Sequence, residues 1–566
     1  MDDYLFEHSL DDSKPENIAL SKEVLYIQDI NAGVYNGQII FDTSSLSNSG
    51  RWLAWNEATL QIPFVVSFTS TAGNIAADAV SRRAAFINGL KNGYYQIIDS
   101  IQVDYNNTNV CQQTNNINQF VNFKLLTTMS ASDVDKWGPT IGFRPDTPAY
   151  VLNAAASPNG NGLTNNRDTF LPVAATQFNE PYVSNTGFLN RKRETTAFSG
   201  NASGAGAVLS YGGIAFANAS STGKNFYTAS PAAGGVGAVY YSVVLCTIRL
   251  SDLCDFFTKI PLIRGGFFRL TIVYNSCAHL ITLGAGPPIN MSVGAGGTTI
   301  RSGRTCPYIF SSATADNSAS AMVATAQGLG ANISIDSGVV RTTQINNPGG
   351  PFSSCRLYVP AYELDPVKEA QLLQIKPIRN VEYFDVYQYQ FGSVAAGDTM
   401  NTLITNGIAG MLFLVVIPTY SYSDASIIAA GGIPSAALSP FDTYPGTGHP
   451  LAAITNFNVQ VGGRNLFQQN FQYNFEFFMN EMSRINAING GVEMGLTSGL
   501  ITQSLWDNGY RFYVCDLTRR PSIEDGVAKS VQILGQNATP YAMNFTCFIA
   551  YNKKVNIDMA EGKLVA

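Results

Sequence analysis

One stretch constrains this chain more than any other. Ile98 to Gln113 reads IDSIQVDYNNTNVCQQ, and Ile454 to Gln469 reads ITNFNVQVGGRNLFQQ, the same pattern without a gap. Each copy has the form of strand, tight turn, strand. Val103 and Val459 fall in the first strand. Asn106-Asn107 and Gly462-Gly463 open the turn, and Gln112-Gln113 and Gln468-Gln469 close the unit. Asn and Gly are the residues that accept the positive φ a two-residue hairpin demands. The likeness continues past the hairpin. Ile117, Phe120, Val121, Leu125 and Met129 recur at helical spacing after the first copy, as do Phe471, Phe475, Phe478, Met482 and Ile485 after the second. A hairpin-plus-helix unit that recurs hundreds of residues later points to two related β-domains in tandem.

Other segments extend the pattern. Leu53 to Phe68 is strand-like, with Pro63 expected at an edge or a bulge. Asn74 to Leu90 is Ala-rich and reads as a helix ended by Gly89 and Gly93, and Ser251 reads as the N-cap of a helix over Asp252 to Lys259. Phe267 to Asn275 (FFRLTIVYN) and Asn544 to Asn552 (NFTCFIAYN) match as the closing strand of each domain. From the hairpin to the tyrosine of that strand the chain runs 176 positions in the first copy and 97 in the second. The surplus falls where Phe198 to Gly237 is rich in Gly, Ala and Ser. Aromatic residues interspersed there (Tyr211, Phe216, Phe226, Tyr227) favour an ordered loop over a flexible linker. Cys355 to Pro360 (CRLYVP) reads as the opening of the second domain, followed by Asp365-Pro366 as N-cap and first helical residue.

The fold class that follows is all-β: two tandem eight-stranded jelly rolls with short helices and long inter-strand loops. The jelly roll is the sandwich that best carries such loops, although other sandwich topologies share the pattern. The expected division is an acidic N-terminal arm (1–30), a first sandwich (31–280) with a large insertion at about 140–238, connecting loops (281–350), a second sandwich (351–552) and a short tail (553–566).

Composition narrows the function. Only 13% of the 566 residues are charged, against about a quarter in typical domains, and the net charge of −6 disfavours binding by phosphate neutralisation. A surface so poor in charge suits a protein covered by neighbours. The acidic start Met1-Asp2-Asp3 has no signal-peptide form. Met411 to Ile417 is the longest strongly apolar run, far short of the roughly 20 residues that span a bilayer, so it reads as a buried strand. Neither secretion nor membrane insertion is expected. Eight scattered cysteines without a CxxC pair read as free buried thiols.

Catalytic patterns are missing. His8, His279 and His449 are far apart in sequence, and no HExxH, GxSxG or phosphate-binding loop occurs; Gly223-Lys224 has Asn218 and Asn225 at the defining positions. Asp133 with Asp135 near Trp137, or Glu476 with Glu481, are the carboxylate pairs a glycosidase would need, and solvated helix surface is the favoured reading of both. Asp99 and Asp104 lie at odd offset on one strand and face opposite sides. Arg82-Arg83, Arg191-Lys192-Arg193 and Arg519-Arg520 read as surface ion-pair positions, with contact to an acidic neighbour or packaged nucleic acid as the alternative. No catalytic, cofactor-binding or metal residue is assigned, and no cofactor is expected.

The run Lys91 to Phe143 resembles the first-domain core of major capsid proteins from polinton-like viruses and virophages. Arg51 to Pro63 (RWLAWNEATLQIP) and Cys355 to Pro366 (CRLYVPAYELDP) resemble the openings of that family's two domains. The resemblance covers about a third of the chain and rests on strand and turn patterns. It implies a double jelly-roll capsid protein that forms a homotrimer of pseudo-hexagonal outline in an icosahedral virion shell. Neighbouring capsomers, penton and minor capsid proteins would be its partners, with an internal membrane or packaged DNA as further contacts. It implies assembly inside the host cell and no enzymatic role. Phe198 to Gly237 would form an outer tower buried at trimer contacts, and the N-terminal arm and C-terminal tail would reach a neighbour or an inner layer. A carbohydrate-binding or adhesive β-sandwich of fibre or lectin type is the competing class, and a β-sandwich hydrolase the third.

Overall fold

The computed structural model describes residues 18–31, 35, 37–70, 92–145, 239–275, 354–375, 377–420, 453–467, 472–489, 499–508, 510–519, 526–539, 542–559 and 561–565. It also describes short strands at 86–90, 151–152, 163–164, 192–194, 227–229, 277–282, 308–312 and 328–334. Sixteen strands build two sandwiches. The first contains β1 (Ala19–Gln28), β2 (Gln38–Asp42), β3 (Thr59–Ser70), β4 (Ile98–Tyr105), β5 (Thr108–Cys111), β6 (Val239–Arg249), β7 (Phe268–Tyr274) and β8 (Arg356–Leu364). The second contains β9 (Ile378–Val394), β10 (Thr399–Ile408), β11 (Met411–Tyr420), β12 (Ile454–Val461), β13 (Arg464–Asn465), β14 (Tyr513–Asp516), β15 (Lys529–Asn537) and β16 (Met543–Asp558).

The pairing order is the same in both halves. The sheets run β1-β8-β3-β6 and β2-β7-β4-β5 in the first, β9-β16-β11-β14 and β10-β15-β12-β13 in the second. Every ladder in these four sheets is antiparallel. An order of 1-8-3-6 facing 2-7-4-5 is the eight-stranded jelly roll, so the chain is a double jelly roll.

The recurring unit occupies the same place twice, as the β4–β5 and β12–β13 hairpins. Val103 and Val459 are both fully buried. Both turns are two residues long, and all four turn residues have positive φ: Asn106 46°, Asn107 65°, Gly462 57° and Gly463 80°. That is the condition under which a two-residue turn matches the strand twist. The helix that follows is α1 (Ile117–Thr128) in the first half and α6 (Phe475–Asn489) in the second.

Four expectations are corrected. Ala19–Gln28 belongs to the first sandwich as its edge strand, paired to β8, so the proposed arm shrinks to residues outside the described ones. Cys355 to Pro360 does not open the second domain; Arg356–Leu364 is the eighth strand of the first, between β1 and β3. The stretch 281–350 is therefore a loop within the first sandwich, and α5 (Pro366–Ile375) is the connector, its start capped by Asp365 accepting from the Val367 amide at 2.9 Å. FFRLTIVYN and NFTCFIAYN are not counterparts, since the first is the seventh strand of its sandwich and the second is the eighth. Each is an inner strand flanked on both sides; the first alternates buried and exposed positions, whereas the second is buried on both faces from Phe545 to Tyr551, so the likeness is one of apolar residue types rather than of place.

Smaller differences have local causes. Phe86–Leu90 is a strand rather than the end of a helix. The helix expected from Ser251 is split at Cys254 into α3 (Leu250–Leu253) and α4 (Asp255–Lys259), with Ser251 inside the first. Pro63 lies within a central strand. It is tolerated because β3 pairs with β8 only up to Gln61 and with Gly328–Ser334 only from Val65, so Pro63 falls in the gap.

Strands of a jelly roll alternate in direction, so the β1–β2, β3–β4, β5–β6 and β7–β8 connections share one end. In the first sandwich three of these are the long ones: 71–97, 112–238 and 275–355. They meet there, because Phe86–Leu90 pairs with both Lys192–Glu194 and Tyr308–Ser312, one strand from each loop. The hairpin turns lie at the opposite end. Apart from Tyr227–Ala229, the expected tower segment Phe198 to Gly237 lies outside the described residues.

Gly463→Val tests the hairpin. No atom lies within 4 Å of a Cβ there, so the cost is conformational, about 1–2 kcal/mol. Urea denaturation is expected to show that loss, with Asn107→Gly within about 0.5 kcal/mol of wild type.

Candidate assembly interface

The seam between the two sandwiches is built by α1. Its residues from Ile117 to Leu126 are nearly all buried, because the helix packs on β4 on one side and on the second sandwich on the other. Phe120 enters a nest of three rings on the outer face of the second sandwich, with centroids 6.2 Å from Phe384, 6.3 Å from Phe413 and 5.6 Å from Phe548. Phe123 meets Phe512 edge-on at 5.2 Å. Leu126 O accepts from the Leu500 amide at 2.8 Å.

A polar cluster lies beside this apolar plug. Asp385 is buried and accepts from Lys553 Nζ at 2.9 Å, Tyr551 Oη at 3.1 Å and the Gln112 amide at 3.1 Å. Thr114 Oγ1 and Gln112 Nε2 donate to Val386 O at 2.6 and 3.0 Å, and Tyr383 Oη donates to Val110 O at 2.7 Å. The closing residues of the first hairpin unit thus read the backbone of β9. Burial, reinforced by the Asp385 charge, pushes the Tyr551 phenol well up, and burial does the same to Tyr383. Contact with Cys254 and burial raise the Cys111 thiol, and burial raises the Asp255 carboxyl. A cavity of about 20 Å³, the size of one water, remains between Cys111, Cys254, Asp255 and Asp385.

The C-terminal segment clasps the first sandwich from the hairpin end. Tyr105 Oη and Asn106 Nδ2 both donate to Gly562 O, the latter at 2.6 Å. Gly562 has φ +64°, and a Cβ there would lie 2.2 Å from Gly266 N. The tail expected to reach a neighbour therefore binds its own chain over 561–565.

All but one of the carboxylates considered for catalysis have structural partners. Asp133 forms a capping box with Ser130 at the start of α2 (Ala131–Ile141), and Asp135 pairs with Arg144 at 3.2 Å. Glu481 is not on solvated surface. It is buried, ion-paired with Arg519, and accepts from the Asp516 amide at 2.8 Å, while burial raises its carboxyl; Glu476 is exposed. Asp99 accepts from the Asn116 amide and Asp104 from Gln102 and Asn109, so the two do not meet. Cys111, Cys246, Cys254, Cys355, Cys515 and Cys547 are buried and in no disulfide, as expected, while Cys306 and the side chain of Cys277 lie outside what is described. Among the described residues no group of three His, Cys, Asp or Glu is arranged to hold a metal, and no helix is long and apolar enough to cross a membrane. His8, His449, Lys224, Arg82, Arg83, Arg191 and Arg520 lie outside the described residues. What sequence reasoning missed was Asp385 with Lys553; an acid in the apolar run of β9 and a lysine ending that of β16 were the available signals.

No family model and no curated protein sequence matches the chain. Among solved structures, a chain of the Sputnik virophage determined by cryo-EM is 10% identical, with a TM-score of 0.48 over 98% of this chain and 91% of that one. The mavirus major capsid protein is 10% identical with a TM-score of 0.44, over 99% and 92%. The Faustovirus major capsid protein is 10% identical with a TM-score of 0.42, over 97% and 93%. The assignment to the double jelly roll rests on the strand order within the chain itself.

Phe120→Ala is expected to cost about 3–5 kcal/mol through the cavity it opens between the sandwiches. Calorimetry is expected to resolve two transitions where wild type shows one; a single unshifted transition would remove the seam as the coupling element. Asp385→Ala leaves Lys553 facing a buried site and is expected to destabilise by about 3–5 kcal/mol, with Lys553→Met less costly in the Asp385→Leu background than alone.

Proposed function

We propose that this chain is a major capsid protein, three copies of which form a pseudo-hexagonal capsomer that tiles an icosahedral virus shell. The observation that carries the reading is the duplication: each half of the chain has the same strand order, and the halves are locked through α1. Three rigid pairs of similar sandwiches present six similar walls around an axis, which is what a six-coordinated tile requires. The one-ended placement of the long loops supports it, since a tile needs one elaborated surface and one plain one.

On this reading the protein works by assembly rather than catalysis and resides in the virion. The loop-bearing end faces outward as a tower, and the hairpin end with the C-terminal clasp faces inward. The partners are two further copies in the capsomer, adjacent capsomers, and the penton and minor capsid proteins of the shell. The resemblance of Lys91 to Phe143 to virophage and polinton-like capsid proteins supports the same assignment.

Electron microscopy of the purified full-length chain tests the proposal. Three-fold particles of hexagonal outline are expected, with a solution mass of three chains by light scattering. A species that stays a single chain at every concentration, or binds glycans through its loops without assembling, would overturn it in favour of an adhesive role.

A further inference from the structure

Two of the buried cysteines meet. The Cys111 and Cys254 thiols are in hydrogen-bonding contact with each other. They come from opposite sheets of the first sandwich. Cys111 ends β5, the edge strand of one sheet. Cys254 follows β6 of the other sheet, at the break between α3 and α4, where its amide donates to Leu250 O at 3.0 Å. The pair therefore bridges the flank of the first sandwich that faces the second. Other buried cysteines have different neighbours: Cys355 lies beside Tyr35 and Asp29, and Cys515 beside Glu481 and Arg519.

Strand β9 of the second sandwich positions both thiols. On the Cys111 side, Asp385 accepts from the Gln112 amide at 3.1 Å, and its Oδ1 lies 3.7 Å from Cys111 Sγ. On the Cys254 side, Asp255 Oδ2 accepts from the Phe384 amide at 3.3 Å, and the Phe256 ring meets Tyr383 edge-on at 5.0 Å. One strand thus clamps the residues next to each sulfur. The water-sized cavity of the seam lies against both cysteines. It has no room for a bulky disulfide reagent, whereas the smallest hydroperoxide is close to water in size. Contact with Cys254 and burial hold the Cys111 thiol protonated, so the pair resists weak oxidants.

We infer that Cys111 and Cys254 are a latent crosslink, closed to a disulfide by hydrogen peroxide. One thiol attacks a peroxide oxygen, giving a sulfenic acid and water. The second thiol then attacks that sulfur and displaces a second water. The O–O bond and two S–H bonds break, one S–S bond forms, and the two electrons lost by the sulfurs reduce the peroxide. Asp385 is placed to take the proton from Cys111 and pass it to the departing oxygen. The link joins positions 143 apart in sequence and encloses the long 112–238 loop, so it removes chain entropy from the unfolded state. It also ties β5 to the α3–α4 segment, and the two clamps on β9 then act as one. On the capsid reading, a shell built in a reducing cell would harden after release. The link itself does not rest on that reading.

Peptide mapping of the full-length protein tests it. The purified chain is treated with hydrogen peroxide, unfolded in an alkylating reagent and digested without reductant. Mass spectrometry is expected to find a peptide pair joined through Cys111 and Cys254, lighter by two hydrogens and separated by reductant, while Cys515 and Cys547 are alkylated. The melting temperature is expected to rise by about 5 °C on oxidation and to fall back with reductant. Cys254→Ala, shown to be folded by circular dichroism, is expected to lack that rise. Alkylation of both Cys111 and Cys254 after peroxide, their conversion to unlinked sulfinic acids, or pairing of either with another cysteine would overturn the inference. The map is read on the wild-type chain whether or not it assembles, so its outcome is independent of the capsomer reading.

Discussion

The insertion of Phe120 among Phe384, Phe413 and Phe548 is the contact on which the rest of the architecture depends. A fully buried phenylalanine side chain is worth about 1.5–3 kcal/mol, and a well-placed aromatic partner, as Phe384 is edge-on and Phe413 stacked, adds about 0.5–1.5 kcal/mol. The adjacent Asp385–Lys553 pair contributes less to net stability, because desolvating two charges offsets much of their attraction. Its value lies in direction. Asp385, Gln112, Thr114 and Tyr383 fix atoms of the first hairpin to atoms of β9 at hydrogen-bond distance. The apolar plug holds the sandwiches together and the polar cluster sets how they meet. The proposed capsomer would need both, since an angular error between halves would be multiplied around a ring.

Division of labour between the two ends follows from strand alternation. Described connections at the hairpin end are constrained by something close: two-residue turns, the short helices α3 and α4, and the C-terminal segment held by Tyr105 and Asn106. The loops of the first sandwich at the opposite end are free to lengthen, because additions there displace no core side chain. They borrow order from the scaffold instead: Gly328–Ser334 extends the β3 ladder beyond Pro63, and one strand from each long loop joins a common small sheet. Variation in such a protein can accumulate on one surface while the sandwich and the seam stay the same.

What the sequence determined by itself was local and periodic. The two hairpins, the helices after them, the cap at Asp365-Pro366 and the buried strand at Met411 to Ile417 are each specified by neighbouring residues, through φ requirements or apolar spacing. Duplication was legible for the same reason, since a two-residue turn leaves a mark that hundreds of intervening positions do not erase. Tertiary structure alone decided strand partnership. Whether FFRLTIVYN closes a sandwich, or Arg356–Leu364 ends the first domain, depends on which backbone donates to which, and inner strands of either sheet draw on the same apolar residue types. The seam was hidden for a related reason. Phe120 has the spacing of any core residue, and only the fold shows that the core it fills belongs to the other half of the chain.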